Sequence, residues 1–475
     1  MTQVYTLPLP FERNKKTKES IDPEQPYLDK LIKLLSQDLD FHEYNSGYTS
    51  HNFHSFPAKF PPQLPRAFID VLTEKGDIVL DPMVGSGTTL VEAYLSDRQA
   101  MGFDIDPLAL MLTRVKVTPL DPEVVRQWGY RILQNAATAL KQDWEVLEEA
   151  LKHRWRSKTR KFVNYWFAHE TQIALLALIR EIEKIEDQTL KAFFELIFSA
   201  TIITKSSGVS LAFDLAHTRP QRAKIVYNEH GEIILGQDIV DDPSPRAKFL
   251  TKTLNSPLES FQKRFKQNLA SLQMASKGKL PPILTFGNAQ RLSLRENSID
   301  LIVTSPPYAA NAIDYMRAHK FSLIWFRHAI GDLSQKRGEY IGGEAITGVD
   351  YKDLPPKTSE IVAEISDVDE KKGKVLHRYY SEVTSILTEM LRVLKPGKAA
   401  IVVVGSSTMR GKDTKADVCL KDIGEAIGFQ VPKIGVRYID RDRRMMPTGN
   451  KVNSDSQIQQ RMHEEYVLGF YKPQH

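Results

Sequence analysis

The sequence predicts an α/β chain whose sheet is mostly parallel and doubly wound, interrupted by a large and mainly helical insertion. Three observations predict it. Between residues 77 and 104 a short apolar strand, a Gly-rich turn, a helix and a second strand follow one another. Helical periodicity then dominates residues 116–281. From Pro282 short apolar strands return, separated by helical runs. Strand–turn–helix–strand is a βαβ unit and implies parallel pairing.

Residues 1–45 begin polar and basic and end in an amphipathic helix around Tyr27–Leu35. In residues 46–115, Pro65–Leu72 reads as a helix and Asp77–Leu80 as a buried strand. Thr88–Leu95 reads as the next helix and Ala100–Asp104 as the next strand. Within the insertion, Val124–Leu140, Trp144–Leu151, Thr171–Ile185, Leu190–Phe198 and Pro257–Met274 are helical. Ile173, Leu176, Ile179, Ile182 and Ile185 recur near helical spacing. Ile225–Tyr227 and Ile233–Leu235 flank a turn and read as a hairpin. In residues 282–475, Ile283–Phe286, Leu301–Val303, Ala399–Val404 and Glu465–Tyr471 read as strands. Ser381–Leu394 reads as a helix stopped by Lys395-Pro396-Gly397.

Composition sets bounds. The chain has 475 residues, 41% hydrophobic and 26% charged, ordinary for a globular enzyme. Its net charge of +5 permits a nucleic-acid partner without requiring one. A single cysteine, Cys419, excludes an internal disulfide framework and a Cys-rich metal site, so no metal is expected. The first residues lack the apolar stretch of a signal peptide, and no apolar run spans a bilayer. A cytoplasmic location and no membrane partner are the expectation.

Two motifs carry chemistry. The first is Asp81-Pro82-Met83-Val84-Gly85-Ser86-Gly87-Thr88-Thr89, after a strand and opening a helix. Gly85 and Gly87 let the backbone turn sharply and approach a ligand. No lysine follows, so this is not a phosphate loop. The second is Thr304-Ser305-Pro306-Pro307-Tyr308, after the strand Ile299–Val303. Its prolines stiffen the backbone and supply no competing N–H.

Together these motifs resemble the two signatures of the amino-group DNA methyltransferases, which use S-adenosylmethionine. Ser305 resembles the cytosine-N4 branch; the adenine-N6 branch stays open as the alternative. The resemblance covers roughly residues 52–115 and 282–471. It implies a Rossmann-like methyltransferase fold. It also implies that Asp81, Pro82, Gly85, Gly87, Thr88 and Thr89 surround the cofactor, with Asp81 facing its ammonium.

Asp104, at the end of the next strand, is expected on the ribose, and Asp106 as a helix N-cap before Pro107. Lys59, in a segment resembling the family's motif before the first strand, is a candidate for the cofactor carboxylate. Asn288 stands where the family often has Asp and can accept from the adenine amino group.

In the second motif the resemblance assigns the acceptors for the target amino group to Ser305 Oγ and the Pro306 carbonyl. Pro307 stiffens the turn and Tyr308 stacks on the base. The base must leave the duplex, because its amino group is paired there. Asp314–Lys320 reads as a helix with a solvated face, and His319 has no visible carboxylate partner.

Basic and aromatic residues interleave in His153–Lys161. Arg154, Trp155, Arg156, Lys158, Arg160 and Lys161 are candidates for double-stranded DNA, with Trp155 as a stacking or wedging residue. The run Arg437–Arg444, with Arg441, Arg443 and Arg444, forms a second candidate group. The cofactor motif precedes the target motif, the reverse of the order usual in the branch its Gly-Ser-Gly-Thr-Thr run resembles. Residues 116–281 and 309–380 are both candidates for reading DNA. A restriction endonuclease is a candidate partner. A non-catalytic DNA-binding subunit and an RNA methyltransferase remain open.

Overall fold

The computed structural model describes residues 21–474 except 58, 205–207, 216–219, 274–277, 310–313, 344–345, 406 and 440–463. The first part comprises α1 (Tyr27–Ser36), α2 (Gln63–Leu72), β1 (Ile78–Asp81), α3 (Thr88–Leu95), β2 (Gln99–Asp104) and α4 (Pro107–Val117). Asp106 caps α4 by accepting from the Leu108 and Ala109 N–H groups, with Pro107 in the first turn, as expected.

The insertion supplies α5 (Pro122–Gln142), α6 (Trp144–Arg154), α7 (Ser157–Trp166), α8 (His169–Glu183) and α9 (Gln188–Ile202). It continues with β3 (Ile225–Tyr227), β4 (Ile233–Leu235), α10 (Pro245–Phe249), β5 (Thr251–Thr253) and α11 (Pro257–Gln273). β3 and β4 form the expected antiparallel pair, and β5 adds to it in parallel.

The last part comprises β6 (Ile283–Phe286), β7 (Ile299–Thr304), α12 (Tyr315–Leu323), α13 (Ile330–Lys336), α14 (Pro356–Val368) and α15 (Glu370–Val393). β8 (Leu394–Gly405), β9 (Thr408–Met409), β10 (Lys412–Asp413), α16 (Ala416–Ala426), β11 (Ile434–Tyr438) and β12 (Glu464–Tyr471) follow. The expected stop at Lys395-Pro396-Gly397 falls inside β8. Register shifts there, from Ile299↔Leu394 to Leu301↔Ala399. Pro396 and Gly397 are accommodated in that irregularity, as in a bulge.

Seven strands form the main sheet in the order β11-β12-β8-β7-β1-β2-β6. β12 runs antiparallel to both β8 and β11, and the remaining pairs are parallel. Both faces are covered, as a parallel sheet requires. Val79, Val303, Ile401 and Val403 pack under α1–α3. Leu80, Ile302, Val402 and Val404 pack under α15 and α16.

The insertion shares its core with the sheet domain. One apolar cluster joins Leu108 and Leu112 of α4, Ile173 and Ile179 of α8, Phe193 and Phe198 of α9, and Phe321 of α12. Among the described residues, no helix is long and apolar enough to cross a membrane.

Candidate active site

Winding reverses between β1 and β7. The chain runs outward from β1 through β2 to β6, then returns to the other side of β1 as β7. Ligands in such sheets bind beyond the carboxyl ends of the strands at this switch point. A cleft opens there, with about 850 Å³ of empty space, part of it continuous with solvent. Asp81, Pro82, Gly85, Thr88, Asp104 and Asn288 line it from the first motif's side. Ser305 and Pro307 line it from the second. The two motifs, more than two hundred residues apart in the chain, therefore share one cavity.

The glycine turn is built as the sequence requires. Gly85 has φ 46° and Gly87 φ 76°, both left-handed. A Cβ on Gly87 would also stand 2.6 Å from Thr113 Oγ1. The Gly85 N–H donates to Asp104 Oδ2 at 2.8 Å, which ties the turn to the end of β2. Beneath the turn, Lys116 Nζ donates to the Ser86 carbonyl at 2.6 Å. Burial and the nearby Lys59 hold the Lys116 ammonium well below its usual pKa. Thr89 is fully buried and donates to the Val303 carbonyl at 3.2 Å. Gly87 and Thr89 thus shape the loop from behind, while Thr88 reaches the cleft.

Two carboxylates face the cleft with raised pKa values. Asp81 is pushed to about 6 by burial, against hydrogen bonds from Thr304 and the Met83 N–H. Asp104 is pushed to about 7 by burial and by the Asp106 charge. All the donors to Asp81 are neutral, so its site suits an arriving cation. Lys59 also lines the cleft, and its ammonium donates to the His51 and His54 carbonyls at 3.0 Å each. Asn288 lines it too, but its Oδ1 already accepts the Gln290 N–H at 2.9 Å. A second lone pair remains on that oxygen.

His319 has a carboxylate partner after all. Its Nδ1 lies 2.5 Å from Asp106 Oδ2, and both side chains are buried. Burial works against the Asp106 charge, but His319 prevails and holds that carboxyl below its usual range. The solvated face expected for Asp314–Lys320 is corrected by the same packing. Met316 and His319 are buried, and Tyr315 stacks on Phe56 with ring centroids 5.4 Å apart. Tyr315 and Phe56 form part of the cleft wall.

At the target end Pro306 is buried and Ser305 is partly exposed to the cleft. Tyr308 Oη donates to Glu465 Oε1 at 2.9 Å. Glu465 in turn is paired with the buried Arg437. The antiparallel β12 begins beside the end of β8, with Glu465 opposite Gly405. This puts Glu465 at the same edge of the sheet as Ser305.

The basic run divides in two. Arg154 is an interior residue: its guanidinium pairs with Glu183 at 2.9 Å and donates to the Trp325 carbonyl at 2.6 Å. Trp155 is buried, with its indole N–H on the Ile324 carbonyl at 2.9 Å and its ring against Trp325. Neither can stack on a base or neutralise a phosphate, which corrects the expectation for both. Arg156, Lys158, Arg160 and Lys161 are exposed. Arg160 also braces the corner between α6 and α7 by donating to the Lys152 and Trp155 carbonyls. Arg441, Arg443 and Arg444 lie outside the described residues.

Sequence reasoning missed Lys116 and Glu465, gave His319 no chemistry, and placed Arg437 at the head of a DNA-facing run, whereas it is buried against Glu465. The spacing of Tyr315 and His319, four apart on one helix, was the only local sign of any of these.

A family model described as "DNA methylase" matches residues 5–113. The type II methyltransferase M.MvaI of Kocuria varians is 24% identical over 455 residues, covering 90% of this chain and 93% of its own. The type II methyltransferase M.AvaI of Nostoc sp. is 24% identical over 473 residues, covering 92% and 89%. Among solved structures, a SAM-dependent methyltransferase of Methanosarcina mazei aligns with 86% of this chain and 98% of its own. Its identity is 10% and its TM-score 0.29.

Proposed function

The chain belongs to the amino-group DNA methyltransferases, and from that premise we propose that it methylates the exocyclic N4 of a cytosine swung out of duplex DNA. S-adenosylmethionine is the cofactor of this family and supplies a methyl group made electrophilic by its sulfonium. The single observation that carries the reading is the shared cleft: Asp81 and Asp104 line one part of it and Ser305 another.

The residues fit that cofactor. Asp81, buried without a cationic neighbour among its hydrogen-bond partners, takes the ammonium. Asp104, held by the Gly85 and Asp106 N–H groups, keeps lone pairs for the ribose hydroxyls. Lys59 meets the carboxylate, and Asn288 the adenine amino group. Gly85 and Gly87 let the backbone come close.

Target chemistry follows from the amino nitrogen. Its lone pair is delocalised into the ring, so it attacks poorly. Ser305 Oγ and the Pro306 carbonyl accept its two hydrogens and draw it toward tetrahedral geometry. Tyr308 gives the base a ring to stack on. Ser305, in place of a carboxylate or amide, favours cytosine. The exposed Arg156, Lys158, Arg160 and Lys161 bind phosphate. Like the type II enzymes it is similar to, it serves a restriction–modification system, with an endonuclease as its counterpart.

The test is direct. Purified protein is incubated with unmethylated DNA and S-adenosylmethionine, and the digested nucleosides are weighed by mass spectrometry. N4-methylcytosine is expected. N6-methyladenine without methylcytosine would move the chain to the adenine branch, and no methylated base at all would sink the proposal.

A further inference from the structure

Asp106 is fixed through both of its side-chain oxygens. Oδ1 caps α4 by accepting the Leu108 N–H at 2.8 Å and the Ala109 N–H at 3.4 Å. Oδ2 meets His319 Nδ1 at 2.5 Å. Burial opposes the Asp106 charge, yet His319 holds the carboxyl below its usual range. A carboxylate can only accept, so the imidazole donates. Neither side chain reaches solvent: Asp106 is 2% exposed and His319 0%. An ionised oxygen without a donor would be costly there, so this bond holds its two partners firmly.

The backbone of Asp106 serves the cleft. Its N–H donates to Asp104 Oδ1 at 2.8 Å, while the Gly85 N–H donates to Asp104 Oδ2 at 2.8 Å. One donor on each oxygen clamps the carboxylate and leaves each oxygen a lone pair for the cleft. The glycine turn sets one of these donors. Asp106 sets the other, and α12 reaches Asp106 through His319. One turn earlier on α12, Tyr315 stacks on Phe56, and the His319 ring lies 5.1 Å from the same Phe56. The helix that follows the target motif is thereby keyed to the cofactor's end of the sheet.

We propose that His319 is a positioning residue for the cofactor: by fixing Asp106 it aims the Asp106 N–H at Asp104, and so sets the carboxylate that receives the ribose hydroxyls. This rests on the reading of Asp104 as the ribose contact. His319 does not line the cleft, so its effect runs through Asp106, which does. Without the imidazole, Asp106 Oδ2 is buried with no donor. The turn between β2 and α4 then shifts to find one, and the second donor to Asp104 moves with it.

Calorimetry with two ligands tests this on the full chain: S-adenosylhomocysteine and its analogue lacking both ribose hydroxyls. Wild type should bind the analogue about 10-fold to 100-fold more weakly, the worth of hydrogen bonds to a charged group. His319→Leu should lose about tenfold in affinity for S-adenosylhomocysteine and stay within about twofold of wild type for the analogue. His319→Asn puts an amide N–H where Nδ1 stood and should restore the discrimination. His319→Gln puts it where Nε2 stood and should not. Equal losses for both ligands in His319→Leu, or equal behaviour of the Asn and Gln variants, would overturn the proposal. Should His319→Leu fail to fold, the Asn and Gln pair decides by the same comparison. Asp104→Asn separates the two layers of the argument. If it loses the discrimination while His319→Leu keeps it, this inference alone has failed. If wild type does not discriminate, or Asp104→Asn still does, the reading of Asp104 as the ribose contact has failed and takes the inference with it.

Discussion

Thr304 donates its hydroxyl hydrogen bond to Asp81 Oδ1 at 2.7 Å, joining the residue before Ser305 to the carboxylate that ends β1. Both side chains are buried. β1 and β7 are neighbours in register at Val79↔Leu301 and Leu80↔Ile302, so the two motifs emerge side by side. This contact lets the cofactor half and the target half be set by one piece of sheet.

Asp81→Asn should weaken S-adenosylmethionine binding by roughly tenfold to a hundredfold, the worth of a charge-assisted hydrogen bond. Isothermal calorimetry measures it. Stability should move the other way at alkaline pH. The folded pKa of Asp81, about 6, lies above its unfolded value, so the folded state holds the extra proton. That contribution is fully present below the unfolded pKa and is lost as pH rises through about 6. The variant lacks this slope, and its melting temperature should decline less than wild type between pH 4 and pH 7. An unchanged slope would show that Asp81 does not titrate there.

Cofactor binding should release protons near pH 6.5. Asp81 and Asp104 sit at about 6 and about 7, so both are partly protonated at that pH. A cation at Asp81 and hydroxyl donors at Asp104 favour the ionised forms. Calorimetry in two buffers of different ionisation enthalpy reads the number released. Proton uptake, or none, would contradict the proposed placement. Asp104→Asn should cut the release.

Local signals in this sequence were legible because they depend on local physics. The strand, glycine turn and helix at 78–95, the Asp106 cap and the Ser-Pro-Pro-Tyr turn each follow from neighbouring residues. What escaped depends on packing partners far along the chain. His319 meets Asp106 across 213 positions, and Tyr308 meets Glu465 across 157. Trp155 and Arg154 sit in a run that reads as basic surface, but the corner between α6 and α7 turns them inward onto Trp325. Only the three-dimensional path separates them from Arg156 and Lys158.

Gly87→Ala should destabilise the protein by about 1–3 kcal/mol, from the left-handed backbone and the contact with Thr113. Thermal melting without cofactor measures the loss. A neutral effect would mean that the turn relaxes freely. Cofactor affinity should fall as well, because the Gly85 and Gly87 turn sets the approach of the loop.

The divided basic run gives the sharpest contrast. Trp155→Ala removes a buried ring packed edge-on against Trp325, and should cost about 3–5 kcal/mol of stability. Lys158→Ala and Lys161→Ala touch exposed side chains and should leave stability within about 0.5 kcal/mol of wild type. Their signature belongs in DNA binding instead. A lysine that neutralises one phosphate contributes about one to the slope of log affinity against log salt. Fluorescence anisotropy with duplex DNA over a salt series measures that slope. Each lysine variant should flatten it by about that amount, with affinity lost alike for any sequence. If neither variant changes the slope, DNA approaches the cleft by another face. If Trp155→Ala keeps full stability, the corner between α6 and α7 is not the buried hinge that its contacts describe.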